Sequence, residues 1–88
     1  MRFVLWGTYC PDALERRGPY RQEHLEGLRR QKDAGTLITL GPTEQSTHVF
    51  GIYEADSRDA VESLIRNDVY WREGIWTAYE IHPWIQAF

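Results

Sequence analysis

The sequence predicts an α+β fold in which two helices cover a four-stranded antiparallel sheet, in the order βαββαβ. Three observations lead to this prediction. Four segments alternate their side chains with a period of two, two segments have helical character, and the middle two strands are joined by a short connection. A chain of 88 residues cannot build two separate cores, so we expect one domain spanning residues 1–88.

The first strand and the first helix are separated by a charged stretch. Arg2 to Tyr9 alternates large apolar groups on both faces, and Pro11 ends this strand. The next helix is expected to begin at Gly18-Pro19, because proline suits the first helical turn. It is expected to run to about Ala34, with Gly35 stopping it in the position after the last helical residue.

The second and third strands follow closely enough to form a hairpin. Thr36 to Leu40 is predicted as the second strand, Gly41-Pro42 is expected to turn the chain, and Thr47 to Glu54 is predicted as the third strand. Asp56 or Ser57 can then cap a second helix. The apolar stripe of that helix consists of Ala60, Val61, Leu64 and Ile65.

The last strand is predicted from Ile75 to His82, with Pro83 after it and an apolar tail from Trp84 to Phe88. The complete order of elements is that of the ferredoxin-like split βαβ unit. Two helices cover one face of such a sheet, yet apolar residues occupy both faces. In the first strand, Val4 and Trp6 are expected on one face, and Phe3 and Leu5 on the other. In the last strand, Tyr79 is expected on the face opposite Trp76 and Ala78.

The uncovered apolar face predicts a partner. We expect a second copy of the chain to cover it, which gives a homodimer with a closed, barrel-like interior between the two sheets. Assembly of such dimers into a higher oligomer stays open. The tail from Trp84 to Phe88 is expected to dock on the partner subunit.

Charge and composition exclude several classes of partner. A net charge of −3 and a pI near 5.5 give no electrostatic reason to bind nucleic acid or a membrane surface, and no apolar run is long enough to cross a bilayer. The single cysteine, Cys10, excludes an internal disulfide, and no secretory signal is recognisable. We therefore expect a cytoplasmic protein whose partners are itself and a small-molecule ligand.

His24 is the most informative residue, because the helical period places it on the inward face of the first helix. It lies four residues after Tyr20 and four before Leu28. An inward imidazole requires a partner, and Asp68, after the second helix, is the best candidate. Two other interpretations stay open at this point. His24 could be a core residue that donates to a carbonyl, and Asp68 could be a turn residue with local hydrogen bonds.

Other chemistry-bearing residues are more ambiguous. Arg17 and Arg21 could bind an anionic substrate, or they could pair with Glu15 and Glu23 at the surface. No metal site is expected from Cys10, His48 and His82, since their spacing matches no metal motif. Cys10 reads as a small buried residue. Gly41-Pro42-Thr43 is not a phosphate-binding loop, so no nucleotide or other cofactor is expected.

In order and spacing, the motifs of the chain resemble the YCII-related domain family of the dimeric α+β barrel superfamily. The resemblance covers nearly the whole chain. It departs from the family pattern at Val69, where proline is common, and in a shorter connection between strands two and three. The matching motifs are Arg17, Arg21-Gln22-Glu23-His24, Ala34-Gly35-Thr36-Leu37, Gly41-Pro42, Asp68-Val69-Tyr70, Glu73-Gly74-Ile75 and Pro83-Trp84.

The resemblance implies a cleft in which the helix-one histidine and the aspartate after helix two form a catalytic pair. Relatives include a dehydrochlorinase of chlorinated hydroxyquinols, and muconolactone isomerases are structurally similar. The implied function is cofactor-free acid–base catalysis of the lyase or isomerase type on a small aromatic or lactone compound, with His24 as acid–base and Asp68 orienting it. Tyr9, Tyr70 and Trp76 are expected to line the pocket. The alternative is a noncatalytic protein that binds a small ligand in the same pocket.

Overall fold

The computed structural model describes residues 1–88 and contains one antiparallel sheet of four strands. They are β1 (Arg2–Tyr9), β2 (Leu37–Pro42), β3 (His48–Glu54) and β4 (Trp76–Trp84). The spatial order is β2-β3-β1-β4, so β1 and β3 are central and β2 and β4 form the edges. The predicted ferredoxin-like α+β fold is confirmed.

Four α-helices and one 3₁₀ turn connect the strands. The helices are α1 (Ala13–Arg16), α2 (Arg21–Asp33), α3 (Arg58–Asn67) and α4 (Val69–Arg72), and the 3₁₀ turn spans Gly18–Tyr20. Pro19 lies in the 3₁₀ turn, so the α-helix starts three residues later than predicted. The single-turn helices α1 and α4 were not predicted, because four residues are too few to show a helical period.

The ends of the two long helices have the expected capping groups. Gly35 has a φ of 82°, and its amide donates to the Lys32 carbonyl at 3.0 Å, while the Thr36 amide donates to Gln31 at 3.0 Å. This is the Schellman arrangement that glycine favours. At the start of α3, Ser57 Oγ accepts from the Ala60 amide at 3.2 Å. Ser57, rather than Asp56, is therefore the capping residue.

Two prolines lie inside strands that were predicted to end before them. Gly41-Pro42 does not turn the chain but continues β2, where Pro42 faces Val49 of β3. Pro83 likewise lies within β4, opposite Phe3. Both strands are sheet edges, where a residue without an amide hydrogen costs no ladder bond. The turn predicted at Gly41-Pro42 is wrong for this reason.

The helices cover one face of the sheet, and the core lies between the helices and that face. A bulge at the Thr8–Tyr9 end of β1 pairs Thr8 with Ala78 and Tyr9 with Trp76, so Thr77 is the extra residue of β4. Trp76 and Tyr79 consequently lie on the same, helix-covered face, and the prediction that they oppose each other is wrong. The buried apolar residues of the strands include Phe3, Leu5, Tyr9, Leu37, Val49, Tyr53, Trp76 and Ile81.

The other face of the sheet has no helix over it. Trp6 and Phe50 are 39% and 41% exposed there, and the Trp6 ring stacks on His48 at 4.9 Å. Beyond β4, Ile85 and Phe88 are also exposed. None of the helices combines the length and apolar character that crossing a membrane requires.

Candidate functional site

His24 is the one buried residue of α2. Its side chain is 5% exposed, although the helix around it is mostly charged and solvated. The helix α2 packs against the sheet through a narrow stripe of residues. In this stripe residue 24 is a histidine, where an aliphatic side chain would be usual. A polar ring in this position needs a hydrogen-bond partner.

Asp68 supplies that partner from the junction of α3 and α4. His24 Nδ1 lies 2.8 Å from Asp68 Oδ1 and 2.9 Å from Oδ2, and the aspartate side chain is also only 5% exposed. An ionised carboxylate only accepts hydrogen bonds, so Nδ1 carries the proton. The other ring nitrogen, Nε2, makes no hydrogen bond within the chain and is not sealed from solvent.

A local capping interaction fixes the direction of Asp68. Its backbone is extended, with φ −70° and ψ 138°, and Oδ1 accepts from the Tyr70 amide at 2.8 Å, which caps α4. The local turn hydrogen bond and the contact with His24, which the sequence left as alternatives for Asp68, are therefore present together. The turn hydrogen bond holds the carboxylate in place, and the same carboxylate binds His24.

Aromatic rings enclose the imidazole. Tyr70 stacks on His24 with ring centres 3.7 Å apart and an interplanar angle of 8°, and Trp76 meets it edge-on at 5.2 Å. Tyr9 packs edge-on against both Tyr70 and Trp76, at 6.4 and 6.5 Å. The three predicted pocket aromatics thus form one cluster with His24, which limits the rotation of the imidazole ring.

A small cleft of about 100 Å³ opens beside this cluster. His24 lines it and Asp68 does not, so Nε2 is the ring nitrogen available to a ligand there. Trp76 lies behind the other aromatics rather than in the wall. The lining residues are Tyr9, Arg17, Arg21, His24, Leu25, Leu28, Leu40, Gly41, Pro42 and Tyr70.

Arg17 and Arg21 stand at this cleft without a carboxylate partner. The alternative ion pairs with Glu15 and Glu23 are not formed, and Glu23 instead pairs with Arg72 at 2.7 Å. Both arginines act on the Tyr70 hydroxyl, where their charges lower the pKa, but burial has the larger effect and raises it. The two guanidinium groups therefore remain free for an anionic group of a ligand.

The tyrosines around the site remain protonated at neutral pH. Burial raises the pKa of Tyr9, more than the nearby Trp76 indole and the Arg17 charge lower it. Tyr53, on β3, is almost completely buried, and burial together with the Asp68 charge raises its pKa well above the ordinary value. Nothing in the sequence singled out Tyr53, because it occupies an inward position of a strand in the same way as any core residue.

A second cleft of about 410 Å³ lies on the Asp68 side of the imidazole, between α2 and the α3–α4 junction. Glu23, Arg30, Gln31 and Arg72 are among its lining residues. Elsewhere, Cys10 is buried, His48 stacks on Trp6 and His82 pairs with Glu80, and no group of three or more His, Cys, Asp or Glu side chains could hold a metal ion.

Comparison with known proteins identifies structures similar to this one. The 5-chloro-2-hydroxyhydroquinone dehydrochlorinase TftG from Burkholderia phenoliruptrix AC1100, solved in complex with 2,5-dihydroxybenzoquinone, has a TM-score of 0.85 and 27% identity, and the match covers 99% of this chain and 96% of that one. Rv0793 from Mycobacterium tuberculosis matches in fold, with a TM-score of 0.50, 17% identity and coverage of 99% and 97%.

A search of curated protein sequences finds no match to the chain. A family model does match, and it describes the YCII-related domain. This match extends over residues 1–85, which is nearly the whole chain and includes every residue of the cleft. The chain belongs to the YCII-related domain family.

Proposed function

We propose that the protein is a cofactor-free acid–base enzyme of the lyase or isomerase type that acts on a small hydroxylated ring or lactone. In this proposal His24 is the general acid–base and Asp68 orients it. The observation that carries the proposal is the hydrogen bond from His24 Nδ1 to Asp68, which leaves Nε2 free beside a cleft with two unpaired arginines.

The chemistry follows from the protonation of the imidazole. With Nδ1 donating to Asp68, the lone pair of Nε2 accepts a proton from an acidic O–H or C–H group of the substrate, and the carboxylate stabilises the resulting imidazolium. In an isomerisation Nε2 returns this proton at another substrate atom. In an elimination the electron pair expels a leaving group such as chloride, and the proton leaves to solvent. A positioned base of this kind contributes about 10²- to 10⁴-fold.

Two observations favour a ring compound with an ionised oxygen. The cleft is bounded by Tyr9 and Tyr70, whose flat rings suit an aromatic or quinonoid ligand, and Arg17 and Arg21 offer fixed donors to an anion. The similar structure TftG is a dehydrochlorinase of a chlorinated hydroxyhydroquinone and was solved with a dihydroxybenzoquinone. We extend this substrate class to the present chain as part of the proposal.

We also propose that the open face of the sheet pairs with the same face of a second copy. Trp6 and Phe50 are partly exposed side by side on the central strands, where they face each other in the β1–β3 register. Large aromatic groups of this kind are enriched at the centre of protein interfaces. The exposed Ile85 and Phe88 extend the apolar surface available to such a partner.

Turnover of 5-chloro-2-hydroxyhydroquinone, followed as chloride release, tests the proposed function. We expect turnover by the wild type and a loss of about 10²-fold or more in His24→Ala. Gln22→Ala is the matched control, since Gln22 is exposed on the same helix as His24 and lies outside the cleft. Normal turnover by a folded His24→Ala variant contradicts the catalytic role. Saturable binding without any product supports the noncatalytic alternative.

A further inference from the structure

The indole N–H of Trp76 is an unpaired donor inside the protein. Trp76 is 3% exposed, and its Nε1 is buried without a hydrogen-bond partner. Among buried side-chain polar atoms, only Gln31 Oε1 shares this condition. Leaving a buried donor unpaired costs free energy. In a native protein such a donor commonly finds its acceptor in a bound water, ion or ligand.

The β-bulge determines what this indole faces. Because Thr77 is the extra residue of β4, Trp76 lies directly across from Tyr9 on the covered face of the sheet. The two rings meet edge-on, with centres 6.5 Å apart and an interplanar angle of 75°. The indole N–H acts on the Tyr9 hydroxyl closely enough to lower its pKa, although no hydrogen bond of good geometry is formed. A small movement of Tyr9 would complete it.

The Tyr9 hydroxyl is also free. It makes no hydrogen bond within the chain, and Tyr9 lines the same small cleft as His24 and Arg17. Burial keeps this hydroxyl protonated at neutral pH, so it is a donor. Tyr9 therefore has a proton to donate into the cleft and an oxygen able to accept from Trp76.

We propose that Tyr9 donates a hydrogen bond to an anionic oxygen of the bound ring compound, and that the Trp76 indole donates to the Tyr9 oxygen and positions it. Tyr9 is thus a ligand-binding residue and Trp76 a positioning residue. The inference rests on the ligand class of the proposed function, but it does not depend on the catalytic role of His24. In this arrangement the buried Trp76 N–H gains the Tyr9 oxygen as its acceptor once a bound ligand holds Tyr9 in place.

Titration with 2,5-dihydroxybenzoquinone, which is anionic at neutral pH, tests the role of Tyr9. Hydroquinone, which is neutral, serves as the comparison ligand. Binding of each compound is followed by the change in its own absorbance. We expect Tyr9→Phe to weaken binding of the anionic compound by about tenfold and to leave hydroquinone binding unchanged. Tyr20→Phe is the control, since Tyr20 lies outside the cleft and its hydroxyl makes no hydrogen bond within the chain.

A double-mutant cycle tests the role of Trp76. Trp76→Phe removes the N–H and keeps an aromatic ring, and we expect it to weaken quinone binding by about threefold. In the Tyr9→Phe background the same substitution is expected to have no further effect. A merely structural role of Trp76 predicts equal weakening in both backgrounds. In the wild type, the indole N–H resonance should shift when the quinone binds, and Tyr9→Phe should abolish this shift.

Equal weakening by Trp76→Phe in both backgrounds overturns the role of Trp76, and two results overturn the role of Tyr9. One is equal affinity of the wild type and Tyr9→Phe for the quinone, and the other is the absence of quinone binding at about millimolar concentration. Equal affinity leaves the proposed function intact, because that function rests on the effect of His24→Ala on turnover. Conversely, quinone binding that depends on Tyr9 in a protein without turnover supports the inference and contradicts the catalytic proposal.

Discussion

The two faces of the sheet carry aromatic residues in opposite circumstances. On the covered face, Tyr70 and Trp76 pack against His24, whose Nδ1 is bound by a buried carboxylate, and Tyr9 packs against both aromatic rings. On the open face, Trp6 stacks on His48 and remains 39% exposed. One face of the sheet therefore carries a buried polar cluster surrounded by aromatic rings, and the other carries an exposed aromatic surface.

Removal of Asp68 is the strongest test of the covered face. Asp68→Ala leaves the buried His24 without its acceptor and α4 without its cap, so we expect a loss of about 3 to 5 kcal/mol in the free energy of unfolding. Asp59→Ala, in the first turn of α3, is the control, because Asp59 is exposed. Urea unfolding measures both variants. Equal losses in the two variants would contradict the description of a buried polar cluster.

A charge on the open face should separate the proposed dimer. Trp6→Glu places a carboxylate at the centre of this face, and we expect the dissociation constant to rise about thirtyfold or more. Leu14→Glu is the control, because Leu14 is 56% exposed on α1, away from the sheet. Sedimentation measures the association. A wild-type protein that is monomeric at about micromolar concentration would refute the association of this face.

Two glycine substitutions compare how tightly the covered face and the sheet edge are packed. A Cβ at Gly7 would lie 2.8 Å from the Val49 side chain, whereas a Cβ at Gly41 meets nothing within 4 Å. We expect Gly7→Ala to cost about 1 to 3 kcal/mol and Gly41→Ala to be nearly neutral in thermal unfolding. If both substitutions were neutral, the covered face would be less tightly packed than described.

Alkaline pH should weaken the covered face through its buried tyrosines. Burial raises the pKa of Tyr53 above its ordinary value of 10.0, so the folded state holds this proton where the unfolded state releases it. Stability therefore falls as the pH rises above about 10. We expect Tyr53→Phe to lose less stability than the wild type between about pH 9 and pH 11, with Tyr20→Phe as control. The same pH dependence in all three proteins would exclude Tyr53 as a cause.

The strands and long helices were predictable because their signals are local. Alternation identified β1 and β3, and Ser57 and Gly35 marked the ends of helices. The errors occurred where neighbouring strands decide the outcome. Pro42 and Pro83 resemble strand terminators in the sequence, yet each lies on a sheet edge, which the local sequence does not reveal.

The candidate site was predictable where a residue violates the pattern of its own element. An inward histidine on a charged helix is such a violation, and it led to His24 and then to Asp68. The bulge at Thr77, by contrast, leaves no local signal, so the pairing of Tyr9 with Trp76 was visible only in the structure. Gly41 and Pro42 were missed as cleft walls because they were interpreted as a turn, and Leu40 was missed because it was interpreted as an ordinary strand residue.

The coupling of His24 to Asp68 is the central claim, and proton NMR of the histidine rings tests it most directly. The resonance of the proton on His24 Nδ1 is compared between the wild type and Asp68→Asn, which keeps an acceptor for the Tyr70 amide while removing the charge. We predict a strongly downfield resonance in the wild type, because a hydrogen bond to a carboxylate is short and charge-assisted, and an upfield shift of this resonance in the variant. The same Nδ1 proton resonance in both proteins would contradict the account.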